Sequence, residues 1–430
     1  MAVPRLFHAP PPGRWIPSLL CLVVLAQVPG EEPVALPTAP SLTVAALIGS
    51  ARASHPSLAA VEAARLVAAA QYDQAGIWAN PELEVRLGKT RPRQDGIERD
   101  RPVAISLRQR LTWWGTRQAR RDVAQAQGGI ADAEARVAGL LLGSEVRRAA
   151  ITYDIAQQAA TQASEETRLA ADLLRLSQVK ADAGTVDRAS LARLRLEVTT
   201  ATLGEQARQR EVKTALALLR LWCTPDLPEG LVILDALPSW PAPGSPAVAT
   251  ELNQHPRLQA LTAAIEAAAA TVTAERQGRI PDVTLGVFTD READRDTYGL
   301  TVGIDVPLWD RGGSAIAGAE AAQTQAEALR RLERRRLQRD LSEALGNLQS
   351  AQDEAQALAG QAIPAAEDMI RLKTAAYQAG EVDLTDLLEA RRAIHQVRAD
   401  LRAARQRAAL AQIDWGLALG DPALATGSRP

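Results

Sequence analysis

The feature that most constrains this chain is that it repeats itself. His55-Pro56-Ser57-Leu58 recurs as His255-Pro256-Arg257-Leu258, and Pro81 recurs as Pro281, each 200 residues later. Trp113 recurs as Trp309, and Ala183-Gly184-Thr185-Val186-Asp187 as Ala379-Gly380-Glu381-Val382-Asp383, now 196 residues later. Spacing held over such a length marks two copies of one structural unit, residues 31–223 and 247–420, joined by a Pro-rich linker at 224–246 and followed by a tail at 421–430.

Each copy carries two strand-like segments. In the first, Leu83, Val85 and Leu87 alternate with Glu82, Glu84 and Arg86, and Val103, Ile105 and Leu107 alternate with Ala104, Ser106 and Arg108. In the second, Val283, Leu285 and Val287 alternate with polar or small residues, as do Tyr298, Leu300, Val302, Ile304, Val306 and Leu308. Period-two alternation places the apolar side chains on one face, which predicts strands over 82–88, 102–112, 281–288 and 298–308. A water-facing antiparallel sheet shows the same pattern. Of the 8 Trp, 4 Tyr and 2 Phe, however, Trp78, Trp113, Trp114, Phe288, Tyr298 and Trp309 lie in or beside these segments. Aromatic rings at strand ends are what a membrane interface selects, and Trp113, Trp114 and Trp309 are the candidate interface residues. Four strands leave two open edges, which hydrocarbon does not tolerate. If the strands span a membrane, identical copies must share one barrel: two chains give eight strands, three give twelve.

The rest reads as helix. Residues 116–182 contain no proline and are dominated by Ala, Leu, Arg and Glu, giving ~67 residues or roughly 100 Å of helix. Residues 314–378 repeat this, interrupted by Pro364, where a kink is expected. Shorter helices are expected over 41–79, 187–222, 247–279 and 383–419, so each copy ends in a helical hairpin, 116–222 and 314–419. Gly184 and Gly380 suit the left-handed position at each hairpin tip, and Asp187 and Asp383 suit the following helix cap.

At the N-terminus, Arg5 and Arg14 precede an apolar run over 16–28, followed by small residues. This reads as an export signal over 1–30, too short to span a membrane as a helix. Lipidation at Cys21 is disfavoured, because cleavage there would cut the apolar run in half. The net charge of −2 argues against a nucleic-acid partner. No GxxxxGK, HExxH, GxSxG or paired-cysteine motif is present, so neither catalysis, a cofactor nor a metal site is expected.

Asn80-Pro81-Glu82-Leu83, Ile304-Asp305-Val306-Pro307-Leu308-Trp309-Asp310 and the stretch from Tyr377-Gln378-Ala379-Gly380 to Leu388-Glu389-Ala390-Arg391, set in this duplication, resemble the TolC-type outer-membrane efflux family, and most of all its CzcC-like heavy-metal branch. The resemblance covers essentially the whole mature chain. It implies a mainly helical fold with a β-barrel part: a homotrimer whose twelve strands cross the outer membrane and whose helices form a periplasmic tunnel. It implies docking through Ala183, Gly184, Thr185 and Val186 and through Ala379, Gly380, Glu381 and Val382 on a periplasmic adaptor, itself joined to an inner-membrane pump of the RND type. Asp386 and Glu389 fall where the family sets carboxylate rings in the tunnel's constriction, and Tyr377 where a tyrosine helps hold it closed. Ser190 stands in place of that tyrosine's acidic partner, and Val382 in place of a lock arginine. Three residues apart, Asp386 and Glu389 share a helix face, so three copies would focus up to six negative charges in one aperture and favour cations. His55 and His255, repeated at junctions where relatives often carry a capping asparagine, are expected to be structural, and His395 to be isolated. A type I secretion duct, or an exported coiled-coil scaffold with no pore, would use similar helices.

Overall fold

The computed structural model describes residues 40–89, 101–182, 187–236, 252–292 and 295–426. The expected signal segment lies outside them, as do Ala183, Gly184, Thr185 and Val186 of the first tip.

The segment expected to be one helix over 41–79 is a short strand and two helices: β1 (Ser41–Leu42), α1 (Val44–Ser54) and α2 (Pro56–Ala75). Proline supplies no N–H and forces the residue before it into extended backbone, and His55 accordingly sits at φ −73°, ψ 128°. Its Nδ1 accepts the Ser57 N–H at 3.3 Å, capping α2. The second copy repeats the device: His255 Nδ1 accepts the Arg257 N–H at 3.1 Å, so α5 (Pro256–Gln277) starts at the proline rather than at 247.

Between them come β2 (Glu82–Leu87), β3 (Val103–Leu111), α3 (Trp114–Asp182), α4 (Arg188–Trp222) and β4 (Val232–Ile233), which pairs parallel with β1. After α5 follow β5 (Val283–Arg291), β6 (Asp296–Ile304), α6 (Gly313–Ala357), a π turn over Leu358–Ala362, α7 (Ile363–Ala379), α8 (Leu384–Leu419) and α9 (Pro422–Thr426). The strands differ from expectation most in the second copy. The first runs on to Arg291, and the second begins at Asp296 and ends at Ile304, leaving Val306 and Leu308 outside it. Pro307 follows, and the Leu308 N–H turns back to the Val306 carbonyl at 2.9 Å. At Pro364 the helix widens into the π turn. The Ile363 N–H reaches back five residues to Leu358 O, and the proline falls in the first turn of α7, where its missing donor goes unneeded.

The main core lies where the first copy's helices meet β1 and β4. Val44, Leu47 and Ile48 of α1, Val146 and Tyr153 of α3, and Leu216 and Leu219 of α4 are buried together with Leu227, Leu231 and Ile233. The early part of the expected linker is therefore core. Its Pro-rich remainder from 237 lies outside the described residues. The expected tail is likewise structured over Pro422–Thr426: Leu424 is fully buried against Leu140, Ile151 and Ile413, so α9 binds α8 to α3.

Candidate functional site

The four long strands form one antiparallel sheet in the order β2-β3-β5-β6. Its central pairing, Leu107 opposite Val287 and Ile105 opposite Thr289, joins the two copies. Leu83, Val85, Ile105, Leu107, Leu285, Val287, Leu300 and Val302 share one face and stay exposed, Leu300 at 81% and Leu83 at 65%. The opposite face is polar: Arg108 reaches Glu84 at 2.7 Å, and Arg110 reaches Asp282 at 2.9 Å. Phe288 also lies on that face and spreads over Gly299, where a Cβ would meet its ring at 2.4 Å. Trp78, Trp113, Trp114 and Trp309 all fall at the end where the sheet meets the helices, and all four are exposed. Arg117 lies 4.3 Å over the Trp78 ring.

At the second tip, Gly380 adopts φ 79° and the Glu381 N–H bonds Ala376 O at 2.9 Å, a left-handed helix end that a side chain would strain. Ala379, Gly380 and Glu381 are exposed and Val382 is half-buried. The two expected aspartate caps differ. Asp187 Oδ1 accepts the Ser190 N–H at 3.1 Å, whereas the Asp383 side chain makes no cap bond.

Tyr377 packs on the apolar cluster of Leu194, Leu384 and Leu388, which ties α7, α8 and the first hairpin together just above the tips. Asp386 is half-exposed, its Oδ1 3.7 Å from Lys373 Nζ on α7, while Glu389 is exposed one turn further along. Each chain thus sets two carboxylates and one ammonium here, and the sequence reading missed the lysine because it comes across the hairpin. Three polar contacts then join α8 to the first hairpin: Thr385 to Arg193, Arg392 to Glu197 at 2.6 Å, and His395 Nδ1 to Glu166 Oε1 at 2.7 Å. His395 is therefore not isolated. Burial pushes the Glu166 carboxyl up, but the His395 ring and the Gln162 amide at its oxygens outweigh this and hold it below the ordinary carboxylate value. A cavity of about 410 Å³ opens here, lined by Glu166, Glu197, Arg391, His395 and Arg402. Among the described residues no cluster of His, Cys, Asp and Glu could hold a metal ion. Nor is any described helix long and apolar enough to cross a membrane.

An open-edged sheet with one exposed apolar face, set on two long helical hairpins, defines the protomer of a channel. Residues 47–222 and 247–421, the two copies, match the outer membrane efflux protein family, and the chain belongs to it. It is 32% identical over 349 residues to the cobalt-zinc-cadmium resistance protein CzcC of Cupriavidus metallidurans, covering 76% of this chain and 77% of that one. The fold is similar to that of CusC, with a TM-score of 0.75 at 20% identity, covering 88% and 92% of the two chains. It is also similar to the open state of the Neisseria gonorrhoeae MtrE outer membrane channel, with a TM-score of 0.72 at 18% identity and 88% of each chain covered.

Proposed function

We propose that this chain is the passive outer-membrane exit duct of a tripartite efflux system in a Gram-negative bacterium, with metal cations as cargo. The observation that carries the reading is the sheet: two unpaired edges and an uncovered apolar face are tolerable in lipid only once copies close a shared barrel. Three copies give the twelve strands expected of the family. The polar face, with Arg108, Arg110, Glu84 and Asp282, then lines the lumen, and the tryptophans at the helix end lie at headgroup depth.

The helical hairpins extend into the periplasm. Their tips, with Gly380 at the apex of the second, dock on an adaptor that links the duct to an inner-membrane pump of the RND type, the source of transport energy. The chain itself performs no catalysis. The metal cargo rests on the likeness to CzcC. Asp386 and Glu389 bias the constriction toward cations, and Lys373 beside Asp386 and the Arg193 guanidinium on Thr385 offset part of that charge, so the bias is moderate.

Single-channel recording in planar bilayers tests this. The expected result is a stable conductance with cation preference, reduced in Asp386→Asn and Glu389→Gln. A protein that never inserts, or whose selectivity ignores both substitutions, refutes the duct or the ring respectively.

A further inference from the structure

The pairing between the two copies inside one chain is a template for the pairing between chains. In the first copy Leu83 lies opposite Leu107, and in the second Val283 lies opposite Ile304. With Leu83 equivalent to Val283, Leu107 is therefore equivalent to Ile304, an offset of 197. The tryptophans after the strands are offset by 196, so the first copy holds one extra residue between strand and tryptophan. That single residue matters, because a slip of one flips every side chain to the other face.

Within the chain, Leu107 of β3 pairs with Val287 of β5, Gln109 with Leu285, and Ile105 with Thr289. Carrying β3 onto β6 and β5 onto β2 gives the junction between neighbours. We propose that β6 of one copy pairs antiparallel with β2 of the next, with Ile304 opposite Leu87, Val306 opposite Val85 and Val302 opposite Lys89. The proposal rests on the shared-barrel reading above and adds its register.

Two independent features of the edges agree with it. The Gly88 N–H bonds the Pro102 carbonyl at 2.9 Å, so the even-numbered residues of β2 face β3, and the N–H and C=O groups of Leu83, Val85 and Leu87 face the open edge. The Glu292 N–H bonds the Arg295 carbonyl at 2.9 Å, so the odd-numbered residues of β6 face β5, and the backbone groups of Leu300, Val302 and Ile304 face the other edge. Apart from Lys89, which follows the end of β2, the residues aligned by the template are those whose backbone groups point outward and whose side chains belong to the apolar face. Pro307, continued in this register, falls where its nitrogen points back toward its own chain, so its missing N–H costs the shared ladder nothing. The assignment also explains why Val306 keeps the apolar alternation with no strand beside it in the single chain.

The helices below repeat the asymmetry. α5 packs between α3 and α6, while α2 packs on α3 and leaves Leu66 and Val67 exposed at 66% and 56%.

Disulfide trapping reads the register. Directly opposed residues in a hydrogen-bonded pair have Cα atoms ~5.5 Å apart, inside disulfide range, whereas diagonal neighbours at ~7–8 Å lie outside it. The paired substitutions Ile304→Cys with Leu87→Cys, and separately Val306→Cys with Val85→Cys, are made in the full chain, extracted in detergent and oxidised with copper-phenanthroline. Cys223 does not compete, being buried with its thiol pushed up to about 11. Both pairs are expected to give covalent dimers and trimers at least ~10-fold more than Ile304→Cys with Val85→Cys. Unoxidised trimers that trap best in that diagonal pair, or in neither, overturn the register and leave the barrel standing. Extracted protein that is monomeric before oxidation overturns the shared barrel itself.

Discussion

Gly143 is the sharpest test of how the two copies are fastened. It lies on α3 beneath α9, and a Cβ built there would sit 1.9 Å from the Leu424 carbonyl oxygen and 3.1 Å from Ala425 Cα. Both are backbone atoms, so no side chain can swing aside. In Gly143→Ala, α9 must lift. That exposes fully buried Leu424, worth about 2 kcal/mol, and breaks the bond from the Arg147 guanidinium to Ala423 O at 3.0 Å, worth roughly 1.5–3 kcal/mol as a bond to a charged group. Alanine's better helix propensity returns about 1 kcal/mol, so the net loss is about 2.5–4 kcal/mol. One turn earlier, Gly139 provides the control: its Cβ would meet only Ala425 Cβ at 4.0 Å, an ordinary contact. Gly139→Ala should therefore stabilise by about 0.5–1 kcal/mol. Denaturation followed by tryptophan fluorescence gives the two signs, and hydrogen exchange should show faster amides at residues 420–426 in Gly143→Ala alone. Equal stability of the two variants, with those amides equally protected, would refute the close approach.

Gly380 and Gly420 both sit at positive φ, 79° and 74°, but only at Gly420 would a Cβ also strike neighbours, His255 Cδ2 and Pro256 Cδ, both at 2.8 Å. Gly380→Ala should cost about 1 kcal/mol and Gly420→Ala roughly 2–3 kcal/mol, an order that thermal melts can reverse or uphold. Burial pushes the His255 imidazole below its ordinary value, outweighing the bond to Leu417 O at 3.1 Å. The native state therefore resists a proton that the unfolded chain accepts near pH ~6.5, so stability is complete above that pH and falls as pH drops toward the lowered folded value. His255→Asn keeps a cap but no titration, and its melting curve should lose part of the wild-type decline between pH 7 and 5; parallel curves would contradict this.

The duplication, the strands and their apolar face were legible because period-two alternation and repeated motifs are local. What escaped depends on partners distant in sequence. The His-Pro junctions were legible as structural residues at a capping position, but the helix bounds 41–79 and 247–279 ran through them, where the backbone of His55 and His255 instead starts a new helix. Residues 224–236 look like linker because of their prolines, yet Leu227, Leu231 and Ile233 complete the core. Asp187 and Asp383 stand in equivalent motifs, and only the first bonds its helix. Above the second tip, Asp386 meets Lys373, 13 residues back across the tip, and His395 meets Glu166 from the other copy. No periodicity in one stretch reveals such pairs.

The two parts of the protomer solve opposite solvation problems. The helices are rich in alanine and meet through small clusters and ion pairs, such as Arg65 with Asp132 at 2.9 Å and Arg257 with Glu333 at 3.6 Å, a surface suited to water on both sides. The sheet holds Leu83, Val85, Leu87, Leu285, Val287, Leu300 and Val302 outward with no such relief. At about 1–1.5 kcal/mol for each half-exposed side chain, keeping that face in water forfeits on the order of 10 kcal/mol, as much as the whole stability of an ordinary domain. A sequence selected for a water-facing sheet would break the alternation with charges, as edge strands commonly do. Here Glu84, Arg108, Arg110 and Asp282 lie on the opposite face, where they pair with one another, and on the apolar face Arg291 and Asp296 stand only at the loop end of β5 and β6, paired at 3.1 Å. That segregation, more than the strand count, is what makes hydrocarbon on one side and an aqueous lumen on the other the environment this sheet fits.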